Sequence, residues 1–350
     1  MAQAADGSVT IDVSTYDVFA AKQFAGNQLA VFSGAACQDL TTEQMQQLAK
    51  EMNYAESTFI LPPSKQPAAT TEYVHRFGYR IFTPTCELPF AGHPTLGTAY
   101  HALQRLLPRD DGTTTKSVLL ECQGGTIPVS QDKADGCLWM EQQPPKLEMQ
   151  QKNASIDLEE VAQALDCDMD ALDPKYPAHV FSTGGTCFLV VAVKSLPQLQ
   201  TIHHPGPTMF PFCHRWGAVG IYLVTKEGRD ASHSISARSM IAEMAVPEDP
   251  ATGSACGCFA GWAVHTGFLD QSSRDEDKTF TVGQGHEMGR PSLLRVRVDT
   301  KEHANNLKVQ SASTRHQRSG GPSRECFPSS RRRLSKFSSV RSSIPRSLTY

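Results

Sequence analysis

The sequence lacks any Cys-x-x-Cys pair, although ten cysteines are spread through its 350 residues. This absence argues against a zinc ribbon and against a dithiol redox centre. The sequence also lacks a run of the roughly 20 apolar residues that a membrane-spanning helix needs. Its first residues have neither the basic flank nor the apolar core of a secretory signal. We therefore expect a cytoplasmic protein without a membrane segment, in which most cysteines are buried free thiols.

A clear metal-binding pattern is absent as well. Two adjacent histidines, His203 and His204, raise the question of a metal site. They stand directly before Pro205, however, and no third ligand follows at a recognisable spacing. We expect a solvated turn at this point and predict no bound metal.

Charge is distributed unevenly along the chain. Residues 311–350 contain nine Lys and Arg residues and one acidic residue, so they carry +8, whereas the whole chain carries −3 and the remainder −11. This segment is rich in serine and poor in large apolar side chains, so it cannot bury enough surface to offset the entropy of ordering. We expect a disordered Ser/Arg-rich tail over 311–350. Few aromatic residues accompany its arginines, which argues against nucleic acid as a partner.

The rest of the chain is long enough for two cores of ordinary domain size, and its patterns predict both helices and strands. Short apolar runs predict strands in the first third, and the period changes at Gly92, where residues 92–107 have helical spacing. Pro94 suits the first turn of such a helix, where its missing N–H costs nothing. The second half repeats this order up to a second glycine that opens a helix, Gly253. Residues 232–240 are interpreted as a polar stretch.

The two segments that contain these glycines resemble each other. Glu87–His93 and Glu248–Ser254 both follow the pattern Glu-x-Pro-x-x-Gly, and they lie about half the body of the chain apart. Chance is a fair rival explanation, because few positions are shared. The repeat predicts a duplicated fold, with one half at residues 1–143 and the other at residues 144–310.

A glycine at a helix start allows close approach to the backbone. The free N–H groups and the positive end of the helix dipole then form a site for an anion. Two such helices, starting at Gly92 and Gly253, could face each other across a cleft and hold a substrate carboxylate. The alternative is that both glycines only permit tight packing of helix on sheet.

Candidates for proton transfer stand close to these positions. Glu56 follows a helix predicted over 41–52 and directly precedes an apolar strand, where partial burial would raise its pKa and suit it for general acid/base work. His93 and Asp249 are titratable groups at the ends of the two predicted helices. The plainer alternatives are a solvated surface position for Glu56, and helix capping for Asp249 and Ser254.

Several motifs in fixed order together resemble the PhzF family of phenazine-biosynthesis-like isomerases. The resemblance covers about residues 9–298, and it departs from the family pattern where Gly26-Asn27-Gln28 replaces Gly-Asn-Pro. The motifs are Asp17-Val-Phe19, Phe24-Ala-Gly-Asn27, Asn53-Tyr-Ala-Glu56, Phe82-Thr-Pro84, Glu87 to Gly97, and Glu248 to Ala255.

The resemblance implies an α+β fold like that of diaminopimelate epimerase. Such a fold has two pseudo-symmetric halves, each a β-barrel-like sheet around a central helix, and these helices would start at Gly92 and Gly253. It also implies a homodimer, no metal or organic cofactor, and a small carboxylate-bearing substrate bound between the halves.

The resemblance further implies roles for individual residues. Glu56 would move the proton as general acid/base, and His93, Asp249 and Ser254 would line the site. Backbone amides near Gly92 and Gly253 would bind the substrate. The family's last strand, which returns to the first half, is in doubt here, because the Ser/Arg-rich tail begins directly after Gln310.

Two other functions stay open at this point. One is a two-base racemase or epimerase that uses a pair of thiols such as Cys86 and Cys256, although the two cysteines stand at unequal distances from their helix glycines. The other is a non-enzymatic scaffold or regulatory protein that works through its basic tail, for example through Arg331–Ser335. Deletion of residues 311–350 is expected to spare the site of an isomerase and to abolish partner binding by a tail-driven protein.

Overall fold

The computed structural model describes residues 11–64, 75–107, 117–148, 156–203, 208–242, 248–269, 278–299 and 308–313. His204 and nearly all of the predicted tail, from residue 314 onward, lie outside these residues, as do residues 149–155. No helix among the described residues is long and apolar enough to cross a membrane.

The first half contains eight strands and two α-helices within its described residues. The strands are β1 (Asp12–Val18), β2 (Asn27–Ser33), β3 (Glu56–Leu61), β4 (His75–Phe82), β5 (Glu87–Leu88), β6 (Ser117–Cys122), β7 (Gly125–Gln131) and β8 (Leu138–Glu141), and the helices are α1 (Thr42–Met52) and α2 (Gly92–His101).

The second half contributes the remaining nine strands and four α-helices of the described chain. The strands are β9 (Lys146–Leu147), β10 (His179–Thr183), β11 (Thr186–Ala192), β12 (Gly220–Thr225), β13 (Ile235–Ile241), β14 (Glu248–Asp249), β15 (Lys278–Gln284), β16 (Ser292–Asp299) and β17 (Lys308–Ser313), and the helices are α3 (Leu158–Leu165), α4 (Leu196–Thr201), α5 (Met209–Arg215) and α6 (Gly253–Thr266).

Strand pairing follows the same order in both halves. In the first half β1–β2 is antiparallel, β2–β3 parallel, β3–β4 antiparallel, β4–β6 parallel, and β6–β7 and β7–β8 antiparallel. In the second half the series β10–β11, β11–β12, β12–β13, β13–β15, β15–β16 and β16–β17 repeats these directions one by one. This repetition confirms the predicted α+β fold with two pseudo-symmetric halves; the boundary between residues 143 and 144 stays a prediction.

Each half wraps its strands around one buried helix. Every residue of α2 is buried, and the helix packs against β1, β2, β3, β6, β7 and β8. The helix α6 is buried from Gly253 to Ala263 and packs against β9, β10, β11, β16 and β17. Because α2 is enclosed on all sides, its polar side chains pair with the surrounding strands, as Thr98 does with Thr58. The predicted central helices at Gly92 and Gly253 are therefore confirmed.

The repeated glutamates hold the short strands that lead into these helices. In the first half, Arg80 Nε and Nη2 donate to the two carboxylate oxygens of Glu87, both at 2.6 Å. In the second half, Arg238 makes the same two-pronged contact with Glu248, at 3.0 and 2.8 Å. Both arginines occupy the equivalent place, two residues before the strand residue opposite the glutamate. The Glu of the Glu-x-Pro-x-x-Gly pattern is thus a structural anchor.

The polar stretch interpreted at residues 232–240 proves to contain a strand, β13. All seven of its residues are buried, including Ser236, Arg238 and Ser239. The polar side chains hide the apolar pattern on which a sequence-based strand prediction depends. Burial of Arg238 is tolerated because Glu248 and the carbonyl groups of Leu199 and Ile202 accept its hydrogen bonds.

The doubt about a closing strand is wrong, because β17 is present. It pairs antiparallel with β16 of its own half and with β8 of the first half, so it joins the two sheets. Its residues Ser311 and Ala312 are small and buried. The predicted tail boundary at 310/311 therefore cuts through a strand, and deletion of 311–350 would remove part of the fold.

Two truncated chains, one ending at Ser313 and one at residue 307, test the role of β17. Loss of the strand removes the burial of Val309 and Ala312, worth about 3 kcal/mol, and exposes the edges of β8 and β16. We expect the shorter chain to lose at least this much unfolding free energy in urea titrations, and the longer chain to match the full-length protein. Equal stability of the two truncated chains would show that β17 contributes nothing.

Candidate active site

The starts of the two central helices touch. A Cβ atom added to Gly92 would lie 3.1 Å from Gly253 Cα and 3.2 Å from Ser254 N. No side chain caps either helix at its N-cap residue, Ala91 or Thr252. The first backbone N–H groups and the positive ends of two helix dipoles therefore converge on one place, which suits a bound anion.

Glu56 is the first residue of β3, and its side chain reaches this place. The helix α1 begins with a capping box between Thr41 and Gln44 and ends at Asn53 in the left-handed conformation, after which the chain turns directly into β3. Only 9% of Glu56 is exposed. Burial raises the pKa of Glu56 well above its ordinary value of 4.5, and the negative charge of Asp249 raises it further. The alternative of a solvated surface glutamate is excluded.

His93 lies next to Glu56. Its Nε2 atom is 3.2 Å from Glu56 Oε2, but the two atoms are poorly aligned, and neither has a hydrogen-bond partner among the described residues. Burial lowers the pKa of His93 to about 3, so the ring is neutral at physiological pH and the contact is not an ion pair. Two buried polar atoms without partners are costly, and they leave hydrogen-bonding capacity for a substrate.

Asn27 connects the two halves at the centre of the site. Its Nδ2 atom lies 2.8 Å from Asp249 Oδ1, 3.1 Å from the carbonyl oxygen of Ala251 and 3.1 Å from His93 Nδ1. The amide nitrogen has two hydrogens for these three neighbours, and in the tautomer with an unprotonated Nδ1 the ring accepts one of them. The proton of the neutral imidazole then sits on Nε2, on the side that faces Glu56.

Asp249 is held from the second half. The hydroxyl of Thr252 donates to Asp249 Oδ2 at 2.5 Å, and Gln284 Nε2 donates to the carbonyl oxygen of Asp249 at 2.7 Å and to Thr252 Oγ1 at 3.1 Å. Burial raises the pKa of Asp249 to about 6, although the hydrogen bonds from Thr252 and Asn27 act in the opposite direction. Asp249 is not the cap of α6, because the N-cap position belongs to Thr252.

Ser254 and Gly253 form the first turn of α6. Ser254 is buried, and its backbone nitrogen faces Gly92. The side-chain amide of Gln142 donates to the carbonyl oxygen of Gly253 at 3.0 Å and also lies 3.0 Å from Ser311 Oγ. The closing strand therefore reaches the helix start through Gln142.

The structure thus brings together all six residues that the sequence singled out: Glu56, Gly92, His93, Asp249, Gly253 and Ser254. Sequence reasoning gave no role to four further residues of the site. Asn27 and Thr252 were visible only as parts of quoted motifs. Gln142 and Gln284 make hydrogen bonds between distant segments, which leave no periodic signal.

The two thiols proposed for a racemase differ sharply in their surroundings. Cys86 is exposed in the turn after β4, where it contacts Thr83. Cys256 is fully buried in α6, and burial raises its pKa to about 12, so little thiolate forms at neutral pH. No described contact joins the two side chains. Among the described residues, no group of three or more His, Cys, Asp or Glu side chains is placed to hold a metal ion.

Comparison with known proteins identifies close similarity to one family. The family model described as phenazine biosynthesis-like protein matches residues 16–315. A trans-2,3-dihydro-3-hydroxyanthranilate isomerase from Pseudomonas aeruginosa is 33% identical over 291 residues, which cover 81% of this chain and 88% of that protein.

Solved structures agree with this similarity. A PhzF-family phenazine biosynthesis protein from Bacillus anthracis superposes with a TM-score of 0.72 at 25% identity, covering 87% of this chain and 96% of the other. A predicted epimerase from Pseudomonas aeruginosa gives a TM-score of 0.66 at 27% identity, covering 86% and 95%.

Glu56→Gln is expected to change how stability depends on pH. A carboxyl group whose pKa is raised by folding is deprotonated at a cost, so the unfolding free energy falls as pH rises from the unfolded pKa, about 4.3, to the folded pKa. Below this window the carboxyl is neutral in both states and no cost arises. The Gln variant should therefore gain stability relative to the unsubstituted chain as the pH rises above about 4.3. Urea unfolding over this range measures the difference, and parallel curves would contradict it.

Proposed function

Because the chain belongs to the phenazine biosynthesis-like protein family and is an isomerase of that family, we propose that it moves a proton within a small carboxylate-bearing substrate, with Glu56 as general acid and base. One observation carries the proposal. The unpartnered Glu56 Oε2 and His93 Nε2 lie side by side in a buried site, next to two helix starts without side-chain caps.

The helix starts are suited to the substrate carboxylate. Backbone N–H groups at Gly92, Gly253 and Ser254 can donate to its oxygens, and both helix dipoles favour its negative charge. The side chain of Ser254, in the first turn of α6, can add a further hydrogen bond. This clamp fixes the substrate with its reacting carbon atoms towards Glu56.

Glu56 then acts twice. As a carboxylate it removes a proton from one carbon, so that the C–H bond breaks and the adjacent double bond shifts. As a carboxylic acid it returns the same proton to another carbon of the substrate. Nothing is oxidised or reduced, and no second base is needed. A raised pKa suits this cycle, because it brings proton uptake and release by Glu56 closer to balance near neutral pH.

His93 and Asp249 support the transfer from either side. The Nε2–H group of neutral His93 can donate to Glu56 or to the substrate, without the charge that would turn Glu56 into a weak base. Asp249 lies across the site and is linked to His93 through Asn27. Its pKa of about 6 lets it accept or release a proton near physiological pH.

We further propose that the substrate is a cyclic amino-carboxylate. Several relatives, including the one from Pseudomonas aeruginosa, are named trans-2,3-dihydro-3-hydroxyanthranilate isomerases. This compound carries one carboxylate for the helix starts and a ring with a movable double bond. It is therefore the first substrate to test. Homodimer formation and a cytoplasmic location stay predictions.

Replacement of the proposed base should abolish most of the activity. We expect Glu56→Gln to keep the fold and to lower turnover of trans-2,3-dihydro-3-hydroxyanthranilate by roughly 10²–10⁴-fold, the usual contribution of a general acid/base. Product formation followed by absorbance or mass spectrometry measures the effect. Glu121→Gln is the matched control, because Glu121 is a partly buried glutamate on β6 that contacts Arg76 and Ser64 and takes no part in the site.

Full activity of the Glu56→Gln variant would exclude Glu56 as the base. Turnover in D₂O distinguishes the racemase alternative, because a single shuttling carboxyl returns part of the original hydrogen to the product, whereas a two-base thiol mechanism takes it from solvent. Alkylation of the exposed thiols should leave the activity of the proposed isomerase intact.

The anion clamp predicts a different kinetic signature. In Gly92→Ala the new Cβ would press on the backbone of Gly253 and Ser254 and push the helix starts apart. We expect the KM to rise by roughly 10-fold or more, the equivalent of one lost hydrogen bond to a charged group, with a smaller change in kcat. Gly253→Ala is the graded comparison, because its Cβ would meet Gly92 Cα at an ordinary 3.4 Å. An unchanged KM in Gly92→Ala would argue against carboxylate binding here.

A further inference from the structure

The loop between β1 and β2, residues 19–26, is held by the opposite half of the molecule. The backbone nitrogen of Leu293 donates to the carbonyl oxygen of Phe19 at 3.0 Å, and that of Gly26 donates to the carbonyl oxygen of Pro291 at 3.3 Å. Both partners belong to the segment at the β15–β16 turn and the start of β16. The first-half loop that ends at Asn27 is therefore docked on the second half.

Arg290 makes the densest contacts in this docking. Its Nε atom donates to the carbonyl oxygen of Gly26 at 2.7 Å, and its Nη2 atom donates to the carbonyl oxygen of Ala25 at 2.9 Å and to Asp17 Oδ1 at 2.6 Å. One guanidinium group thus donates hydrogen bonds to two consecutive carbonyl groups and to one carboxylate of the first half. A lysine has one compact ammonium group and cannot reproduce this planar set of contacts.

The loop needs such support because its backbone is strained. Phe19 and Phe24 have φ angles of 59° and 66°, a region that bulky side chains avoid, and Gly26 has φ 68°. A Cβ atom at Gly26 would lie only 2.2 Å from the carbonyl oxygen of Val18. The other carboxylate oxygen of Asp17 accepts from the backbone nitrogen of Phe24 at 2.9 Å. The Arg290–Asp17 pair therefore stabilises a conformation that the loop would not adopt alone.

This conformation directs the side chain of Asn27 into the candidate active site. The carbonyl group of Gly26 belongs to the peptide unit that leads into Asn27, so fixing its direction fixes the start of the Asn27 side chain. Asn27 is 1% exposed and must reach His93 and Asp249, which lie in different halves. A small rotation of this peptide unit would break one or both contacts.

We propose that Arg290 is a positioning residue of the proton-transfer site: it holds the β1–β2 loop from the opposite half so that the amide of Asn27 contacts His93 and Asp249 together. Arg290 contacts neither His93 nor Asp249 and acts on them only through the loop. The kinetic part of this inference rests on the proposed function, whereas the effect on His93 does not.

The chain offers a closely matched control in Arg295. This arginine also belongs to the second half, on β16, and its Nη1 atom lies 2.7 Å from Asp135 Oδ2 of the first half. Arg290→Lys and Arg295→Lys therefore both weaken an ion pair between an arginine and an aspartate across the halves. Only the first variant releases the loop that carries Asn27.

Kinetics with trans-2,3-dihydro-3-hydroxyanthranilate form the first arm of the test. Misplacement of a supporting group by about 1 Å can cost 10²-fold in rate, so Arg290→Lys should lower kcat by roughly 10–100-fold and leave KM nearly unchanged, because the helix-start amides stay in place. Arg295→Lys should keep both constants within a factor of about two. Asp17→Asn, which weakens one of the three contacts of Arg290, should lower kcat in the same direction by less. This milder variant decides the question if Arg290→Lys does not fold.

The imidazole ¹⁵N signals of His93 form the second arm and need no substrate. His93→Gln identifies these signals by their loss. In the unsubstituted chain and in Arg295→Lys they should show a neutral ring with the proton on Nε2, whereas Arg290→Lys should shift them towards a mixture of both tautomers. If the unsubstituted chain does not convert the test compound, the proposed substrate fails and the tautomer still decides the inference. Indistinguishable His93 signals in the two Lys variants, or equal kcat values in a chain that is active, would overturn it.

Discussion

The contact between Gly92 and Gly253 is the constraint on which the molecule depends. Two helix starts can meet at this distance because residue 92 has no side chain, since a Cβ on Gly92 would press on the backbone of Gly253 and Ser254. The meeting point brings together the first N–H groups of the two central helices, each of which is buried among the strands of its own half. Among the described strands, β17 joins the sheets of the two halves, because it pairs with both β16 and β8. The proposed anion clamp thus draws on both halves of the molecule.

Burial of two carboxyl groups at this point costs stability, and the surrounding side chains reduce that cost unequally. Asp249 receives hydrogen bonds from Asn27 and Thr252, whereas Glu56 Oε2 has no described hydrogen-bond partner. The less supported carboxyl is Glu56, whose pKa burial raises and which lies beside the open Nε2 atom of His93. A buried polar group without a hydrogen-bond partner often marks a function in a folded protein. Here that group is Glu56, the residue proposed to carry the proton.

The sequence predicted the residues of the site better than the contacts that arrange them. Glu56, His93 and Asp249 stand in local motifs, and the central helices follow from helical spacing behind a glycine, so both were accessible without coordinates. The strand β13 was not, because buried polar residues mask its pattern, and neither was the closing strand, whose pairing depends on backbone groups and small side chains. Asn27 and Arg290 act between segments far apart in the chain, and such contacts follow only from the packing of the halves.

The residues that anchor the fold are the same in both copies of the repeat. The candidate catalytic side chains occupy other positions, at which the two copies differ. The equivalent pairs Arg80–Glu87 and Arg238–Glu248 anchor the strands that precede the two helices, and the equivalent glycines open them. The positions between and after these anchors differ: Asp249 stands where the first half has a leucine, and a serine stands where the first half has His93. A strictly symmetric site would place identical groups on both faces of a bound substrate, as a two-base epimerase requires. The asymmetry fits the single base proposed above, because at the helix starts Glu56 lies beside His93 of its own half, whereas Asp249 of the second half is hydrogen-bonded by Asn27 and Thr252.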